Sequence, residues 1–272
     1  MGSKAKPPVH SLTYGSYLKI HELTALQSPL STPAIHDEMQ FIIVHQVFEL
    51  WFKLALHELE AIFVHLKAGR TIEATRLFKR VESIVRCFLP SLEVIETMIP
   101  SDFVKFRDLL MPASGFQSWQ FREMEFAAGL REERYLKMFE DNPEATKRLK
   151  GWMKRPTLWD AFVSHIQVRG YAVADETAQR AAVAKIYTDA GANDLMMLAE
   201  AMIELDEGFQ LYREHHLRMA ERMIGHKLGT GVADVHYAFG KQGPMGTQGV
   251  AYLSSTVKKK FFPVLWEART AM

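Results

Sequence analysis

Phe209-Gln210-Leu211-Tyr212-Arg213-Glu214-His215-His216-Leu217-Arg218-Met219-Ala220-Glu221-Arg222-Met223, in the middle of a run from Ala192 to Gly231, decides the class of this chain. Counting back from His216 at helical spacing gives Tyr212, Phe209, Leu205, Met202 and Leu198, and counting forward gives Met219, Ala220 and Met223. Residues three and four apart share one face of a helix, so His216 belongs to an apolar stripe. His215 shares its face with Glu204, Gly208, Arg218 and Arg222 instead. Only one of the two adjacent imidazoles is therefore aimed at the interior. A histidine among methionine and aromatic side chains is either a hydrogen-bonded core residue or a ligand to a metal, and periodicity alone leaves both readings open.

Outward from this run the same period recurs. Ser31-Thr32-Pro33 predicts a helix start, with Thr32 as cap and Pro33 in the first helical position, leading into a helix from Ala34 to about Lys67. Phe41, His45, Phe48, Phe52, Leu56 and Leu59 recur along it, so His45 also lies in an aromatic stripe. A second long helical segment is expected from Thr71 to Thr97 with a kink or break at Pro90. Pro100-Ser101-Asp102 starts a short helix with Phe103, Phe106, Leu109 and Leu110 facing in and Arg107 among them. An arginine so placed either snorkels or pairs with a structural carboxylate, or its two-pronged fork grips the carboxylate of a ligand.

Met111 to Ser118 reads as a turn, and helices follow at about 117–129, from Asn142-Pro143 to Lys154, from Arg155-Pro156-Thr157 to about Gly170, and from Asp175 to Ala190. A last helix from Val250 to about Arg269 is expected to bend at Pro263, with Lys258-Lys259-Lys260 on a solvated face. Residues 1–11 read as a mobile N-terminal arm, and 232–249 as a loop long and aromatic enough to be functional. No segment alternates as a strand does, so the expected architecture is one all-α domain over residues 1–272, a single helical bundle.

Composition narrows the partners. The 272 residues carry 33 basic and 32 acidic side chains, a net charge of +1, which does not favour nucleic acid. No uninterrupted apolar run approaches the roughly 20 residues of a bilayer span, and Met1 to Pro8 lack the apolar segment of a signal peptide, so a soluble, cytoplasmic protein is expected. The single cysteine, Cys87, excludes an internal disulfide and reads as a buried thiol. Eleven histidines include no His-Glu-x-x-His pair, which disfavours a hydrolytic zinc site. A haem remains compatible, because it can use one histidine from one helix.

Several motifs now fall into a family pattern. His36-Asp37-Glu38-Met39-Gln40-Phe41-Ile42-Ile43-Val44-His45-Gln46, Glu49-Leu50-Trp51-Phe52-Lys53-Leu54, Phe106-Arg107 and Ser114-Gly115-Phe116-Gln117-Ser118 resemble the tryptophan 2,3-dioxygenase family. Thr13-Tyr14-Gly15, Ile224-Gly225-His226-Lys227, Gly229-Thr230-Gly231 and Phe261-Phe262-Pro263 agree in order and approximate spacing, whereas residues 130–195 match weakly. The resemblance implies an all-helical haem b protein, usually a homotetramer, that inserts both atoms of O2 across the indole C2–C3 bond of L-tryptophan to give N-formylkynurenine. It implies His216 as the proximal ligand of the haem iron and His45 as the distal histidine that accepts a hydrogen bond from the indole N–H. Phe41 is implied to pack on the indole and Phe103 to stand beside the arginine helix where many members have tyrosine. Arg107 is implied to pair with the substrate carboxylate, Ser114 to lie near the haem, and Thr230 to hold the amino-acid end. Tyr14, Tyr17 and Leu18 are implied to reach the active site of a neighbouring subunit.

One departure bears on the reaction. Val232 to Met245 intervenes between Gly229-Thr230-Gly231 and Gly246-Thr247-Gln248-Gly249-Val250, so either Thr230 or Pro244 stands at the family's threonine. Beside dioxygenation, two alternatives therefore stay open at this point. One is a related oxygenase that adds a single oxygen to tryptophan or to a substituted, for example methylated, tryptophan, giving a hydroxylated or oxindole product. The other is a non-catalytic haem sensor.

Overall fold

The computed structural model describes residues 12–225 and 249–272. The 1–11 arm, Thr230, Pro244 and the Val232 to Met245 segment lie outside the described residues. Among the described residues every regular element is a helix. The run around His216 forms one helix, α11 (Asn193–Ile224), and the run around His45 forms α3 (His36–Lys67). Both pack on α4 (Thr71–Arg86), which lies between them in the bundle. α5 (Phe88–Glu96) touches both long helices, and α7 (Trp119–Ala128) covers α3. Gly208 permits the α11–α4 contact, since a Cβ there would stand 3.3 Å from Val85 Cγ1.

The remaining elements enclose this centre. Short N-terminal helices α1 (Tyr14–Leu18) and α2 (Ile20–Leu23) precede α3, and α6 (Pro100–Arg107) follows α5. α8 (Pro143–Lys154) packs on α7, and α9 (Leu158–Val168) on α3. α10 (Glu176–Thr188) leads into α11, and α12 (Gly249–Thr256) and α13 (Pro263–Ala268) close the chain against α11 and α10 respectively. Where all these faces meet, Phe52 and Phe88 cross edge to face at 5.3 Å, and Phe88 meets Tyr212 at 5.3 Å. Edge-to-face aromatic pairs add about 0.5–1.5 kcal/mol each beyond the area they bury, so this cluster fixes the long helices relative to one another. α3 is also the one described helix long and apolar enough to cross a bilayer by length and composition. In the fold that apolar character is used against α4, α5, α7 and α9.

The structure differs from expectation where distant polar side chains take over local signals. Thr32 and Pro33 do not start α3; the Thr32–Pro33 bond is cis, and the Ser31 hydroxyl accepts the Ile35 N–H at 2.8 Å. The buried Glu38 carboxylate in turn accepts the Leu30 and Ser31 N–H groups at 2.6 and 3.0 Å. At Pro90, where a kink or break is expected, the structure has a break. The proline ring excludes the carbonyl of Arg86, four residues earlier, so the interruption falls at Cys87 and Pro90 itself sits harmlessly in the first turn of α5. Cys87 is accordingly half-buried, its thiol donating to the Ser83 carbonyl. α6 ends at Arg107 in a 3-10 turn, Asp108–Leu110, which leaves Leu109 half exposed instead of in the core.

The C-terminal helix is likewise two helices, not one bent at Pro263. The fully buried Asp206 carboxylate of α11 accepts the Phe261 N–H at 2.9 Å, the Phe262 N–H at 3.1 Å and the Trp266 Nε1–H at 2.9 Å. Those donors are available only if the helix opens before Pro263, which then takes the first position of α13. Lys259 is no solvated residue either: its ammonium binds Glu132 at 2.5 Å and its carbonyl accepts from Arg213 at 2.7 Å.

Candidate functional site

α3, α6, α7, α11 and α12, with the Ser114–Ser118 turn, enclose a cavity of about 510 Å³. That lies within the roughly 300–1,000 Å³ typical of small-molecule and cofactor sites. Phe41 and His45 from α3 and Phe103 from α6 line it together with Tyr212, His216, Met219 and Met223 from α11. The two histidines singled out by periodicity thus face one space from different helices. His215 faces away, with Nε2 3.2 Å from the Glu96 carboxylate that Arg222 also approaches at 3.3 Å.

His45 is fixed in one tautomer. Its Nδ1 lies 2.7 Å from the Phe41 carbonyl, which can only accept, so Nδ1 carries the proton and Nε2 keeps a lone pair. The ring packs on Phe41 with centroids 4.0 Å apart, and Phe41 in turn touches Phe103 and Phe106 at 5.8 and 5.7 Å. His45 keeps an open ring surface because it lines the cavity, yet surrounding protein still lowers its pKa; the Phe41 carbonyl and the Glu49 charge oppose that shift. Burial pushes His216 down to about 4, and His45 and His215 act in the same direction. Both imidazoles are therefore neutral at pH 7, and a neutral imidazole has a lone pair for a metal or for a hydrogen-bond donor.

The other expected site residues are distributed unevenly. Ser114 lines the cavity and caps the 3-10 turn Gly115–Gln117, its hydroxyl accepting the Phe116 N–H at 3.3 Å while its own N–H donates to Gln117 Oε1. Phe103 forms part of the wall. Arg107 stands at the end of α6, outside the wall formed by the described residues. Its side chain is only 13 % exposed, and its nearest charge partner among the described residues is Asp108 at 3.8 Å. Among the described residues its guanidinium thus has no close carboxylate partner. Tyr14, Tyr17 and Leu18 are exposed on α1, away from the cavity of their own chain.

A polar corner that sequence reading missed completes the wall. Arg122 and Glu125 of α7 and Arg213 of α11 are each 3 % exposed. Glu125 takes Arg122 at 2.5 Å and Arg213 at 3.1 Å, and Arg122 also donates to the Tyr252 hydroxyl at 2.9 Å. Among the described residues the Nε–H groups of both arginines are buried without an acceptor. Glu49, one turn after His45, also lines the cavity and is held by Gln120 at 2.7 Å. The Arg-x-x-Glu spacing on α7 was the available signal, but it looks the same as a solvated surface pair.

A lone neutral histidine on an apolar wall is a complete protein contribution to a haem, which brings four nitrogen ligands of its own. Among the described residues no three metal-ligating side chains converge elsewhere. The comparisons with known proteins identify the family. The chain matches the tryptophan 2,3-dioxygenase family over residues 4–160 and 152–272, including the stretch 130–195 that the motifs alone matched weakly. It is 40 % identical to a tryptophan 2,3-dioxygenase of Herpetosiphon aurantiacus over 270 residues, covering 95 % of this chain and 98 % of the other. It is 39 % identical to one of a Nocardioides species over 267 residues, covering 96 % and 95 %. A third, from Bacillus cereus, is 35 % identical over 276 residues, covering 96 % and 93 %. With that extent of agreement, and with two neutral histidines facing one aromatic cavity, the chain belongs to the tryptophan 2,3-dioxygenase family.

Proposed function

We propose that this protein oxidises L-tryptophan with O2 to N-formylkynurenine, using haem b bound through His216. The observation that carries the reading is the pair of neutral histidines, His45 and His216, lining one cavity that is mainly aromatic and apolar apart from Glu49 and the Arg122–Glu125–Arg213 corner. The fit to a haem rests on the neutral His216 imidazole, on the aromatic lining, and on Arg122 and Arg213 in the same wall, cations of the kind that the carboxylates of the cofactor need. When bound, the haem supplies the O2 chemistry at its iron.

The chain's own part is binding, orientation and exclusion of water. Nε2 of His45 accepts the indole N–H, because Nδ1 is already committed to the Phe41 carbonyl. Phe41 and Phe103, packed on each other at 5.8 Å, form one aromatic wall for the indole ring, and Arg107 takes the carboxylate with a guanidinium whose nearest charge partner among the described residues is Asp108 at 3.8 Å. Ser114 borders the haem, and Thr230 binds the ammonium and carboxylate end of the substrate. A substrate fixed at both ends reacts at the indole C2–C3 bond with little loss of entropy at the barrier. The reading extends to a cytoplasmic homotetramer in which Tyr14, Tyr17 and Leu18 of one subunit complete the site of a neighbour. Support for that assembly is their exposure, at 77, 71 and 42 %, on a helix packed only lightly on its own chain. No observation favours transfer of a single oxygen or a non-catalytic sensor.

The test is reconstitution with haem followed by anaerobic reduction, tryptophan and O2. The product is expected to contain two more oxygen atoms than the substrate, and His216→Ala is expected to lose the Soret band and the reduced CO spectrum. A product with one added oxygen, or a His216→Ala variant with normal haem spectra, overturns the corresponding part.

A further inference from the structure

We propose that the outward face of α3 docks on the same face of a second copy of this chain, the two helices running antiparallel across a two-fold axis. The proposal deepens the homo-oligomer reading above by naming the surface, and it stands on a different observation. Packing on α4, α5, α7 and α9 uses one side of α3, and only 28 % of its most apolar 18-residue window is buried in the folded chain. On the other side Met39, Ile43, Leu50, Leu54 and Val64 are 38, 44, 51, 37 and 59 % exposed. Gln46, His57 and Ala61 fill the remaining positions of the same stripe. Successive members are three or four residues apart, which is the seam along which paired helices interlock. The stripe runs for about 37 Å at 1.5 Å per residue and carries no carboxylate, lysine or arginine. Single exposed apolar residues are ordinary, whereas a continuous uncharged stripe of this length marks a contact surface. None of its members lines the cavity.

The order of the side chains names the occupant. Met39, Ile43, Gln46 and Leu50 are followed by Leu54, His57, Ala61 and Val64, so the two polar members stand symmetrically about the middle of the stripe. An antiparallel copy centred between Leu50 and Leu54 sets Leu50 of each copy against Leu54 of the other, and Gln46 of each against His57 of the other. Ile43 then meets the smaller Ala61, and Met39 meets Val64. Apolar groups face apolar groups throughout, and the Gln46 amide meets an imidazole with an N–H that is unused among the described residues. A lipid surface or an unrelated apolar segment requires no such symmetry, whereas a two-fold contact does, because each residue pair occurs in it twice. The surface is also continuous with the segment assigned to a neighbouring subunit. Gln46 donates to the Leu26 carbonyl at 3.3 Å and Glu38 accepts the Leu30 N–H at 2.6 Å. Leu26 and Leu30, 63 and 62 % exposed, therefore border the N-terminal half of the stripe, on the chain that leads from Tyr14, Tyr17 and Leu18 into α3.

The experiment measures the mass of the full chain in solution by light scattering, native and with Leu50→Glu and Leu54→Glu together, with circular dichroism to show that the helices persist. The double variant is expected to show about half the native mass, because a carboxylate is buried without a partner at both central contacts. A second set of variants reads the register in a Cys87→Ser background, which leaves no other thiol. Gln46→Cys and His57→Cys in one chain are expected to give a disulfide-linked dimer under mild oxidation. Neither change alone is expected to do so, since antiparallel copies of either position stand roughly 16 Å apart along the axis and a disulfide needs Cα atoms within about 7 Å. Cross-linking by a single variant overturns the antiparallel pairing, and so does its absence in the double cysteine variant. If the glutamates melt the helices, the cross-link alone decides. A native protein that is monomeric, including one that binds lipid vesicles instead, overturns this proposal and the homotetramer reading together. An assembled native protein whose mass the two glutamates leave unchanged removes this proposal alone.

Discussion

Replacing His45 by phenylalanine isolates the hydrogen bond on which substrate orientation depends. The exchange nearly preserves ring size and the 4.0 Å packing against Phe41. It also costs the protein little, because the Phe41 carbonyl that accepts from Nδ1 already serves as the acceptor of the α3 ladder. What disappears is Nε2, the lone pair that the 2.7 Å contact at Nδ1 leaves facing the cavity. The indole N–H then enters an aromatic wall with no acceptor, at a cost of about 1–3 kcal/mol. That corresponds to about a 5- to 150-fold loss in kcat/KM for tryptophan. The benzothiophene analogue of tryptophan, which carries sulfur where the indole has N–H, supplies the control. His45→Phe is expected to change binding of that analogue less than about threefold, since no donor is stranded. Substrate binding is measured by the spectral change of the reduced haem protein, and turnover by product absorbance. Equal losses on tryptophan and on the analogue would refute the argument, because His45 would then act through shape and not through its lone pair.

The same lone pair sets a pH dependence: burial holds the His45 pKa below its ordinary 6.5, so kcat/KM is expected to stay level from neutral pH down past 6.5. It should fall only as the pH drops through the lowered pKa and the imidazolium loses its acceptor; a fall that begins above neutral pH would contradict this. Arg107→Leu is expected to weaken tryptophan binding about 10- to 150-fold while barely changing free indole, since a charge-assisted bond is worth about 1.5–3 kcal/mol. Competition binding of the two ligands checks it, and equal losses would remove the carboxylate clamp. Asp206→Ala strands three buried donors, so a loss of about 3 kcal/mol or more is expected in denaturant unfolding, with faster amide exchange at Phe261 and Phe262. Unchanged exchange at those two amides would show that Asp206 does not hold the C-terminal helix in place.

These predictions separate what the sequence discloses from what only the folded chain does. Helical period discloses which face of a segment turns inward, and that sufficed for the bundle, for His45 and for the choice of His216 over His215. Period carries no information about which distant polar group meets a given position. Whether the last segment is one bent helix or two depends on Asp206, 55 residues before Phe261, offering its carboxylate to the backbone there. The start of α3 depends in the same way on Glu38 reaching back to Ser31, which overrides the local Thr32-Pro33 signal. The arginine corner was invisible for the same reason. Arg122 and Glu125 are three residues apart and read as an ordinary surface pair; only Arg213, 88 residues beyond Glu125, converts them into a buried cluster on the cavity wall. Charge on an inward-facing residue is costly unless a partner arrives from another element, so the residues hardest to read are those whose burial is made possible by long-range pairing. In this fold Arg213, one helical turn before His216, is buried only because Glu125 of another helix meets it, and the pair thereby becomes part of the cavity wall.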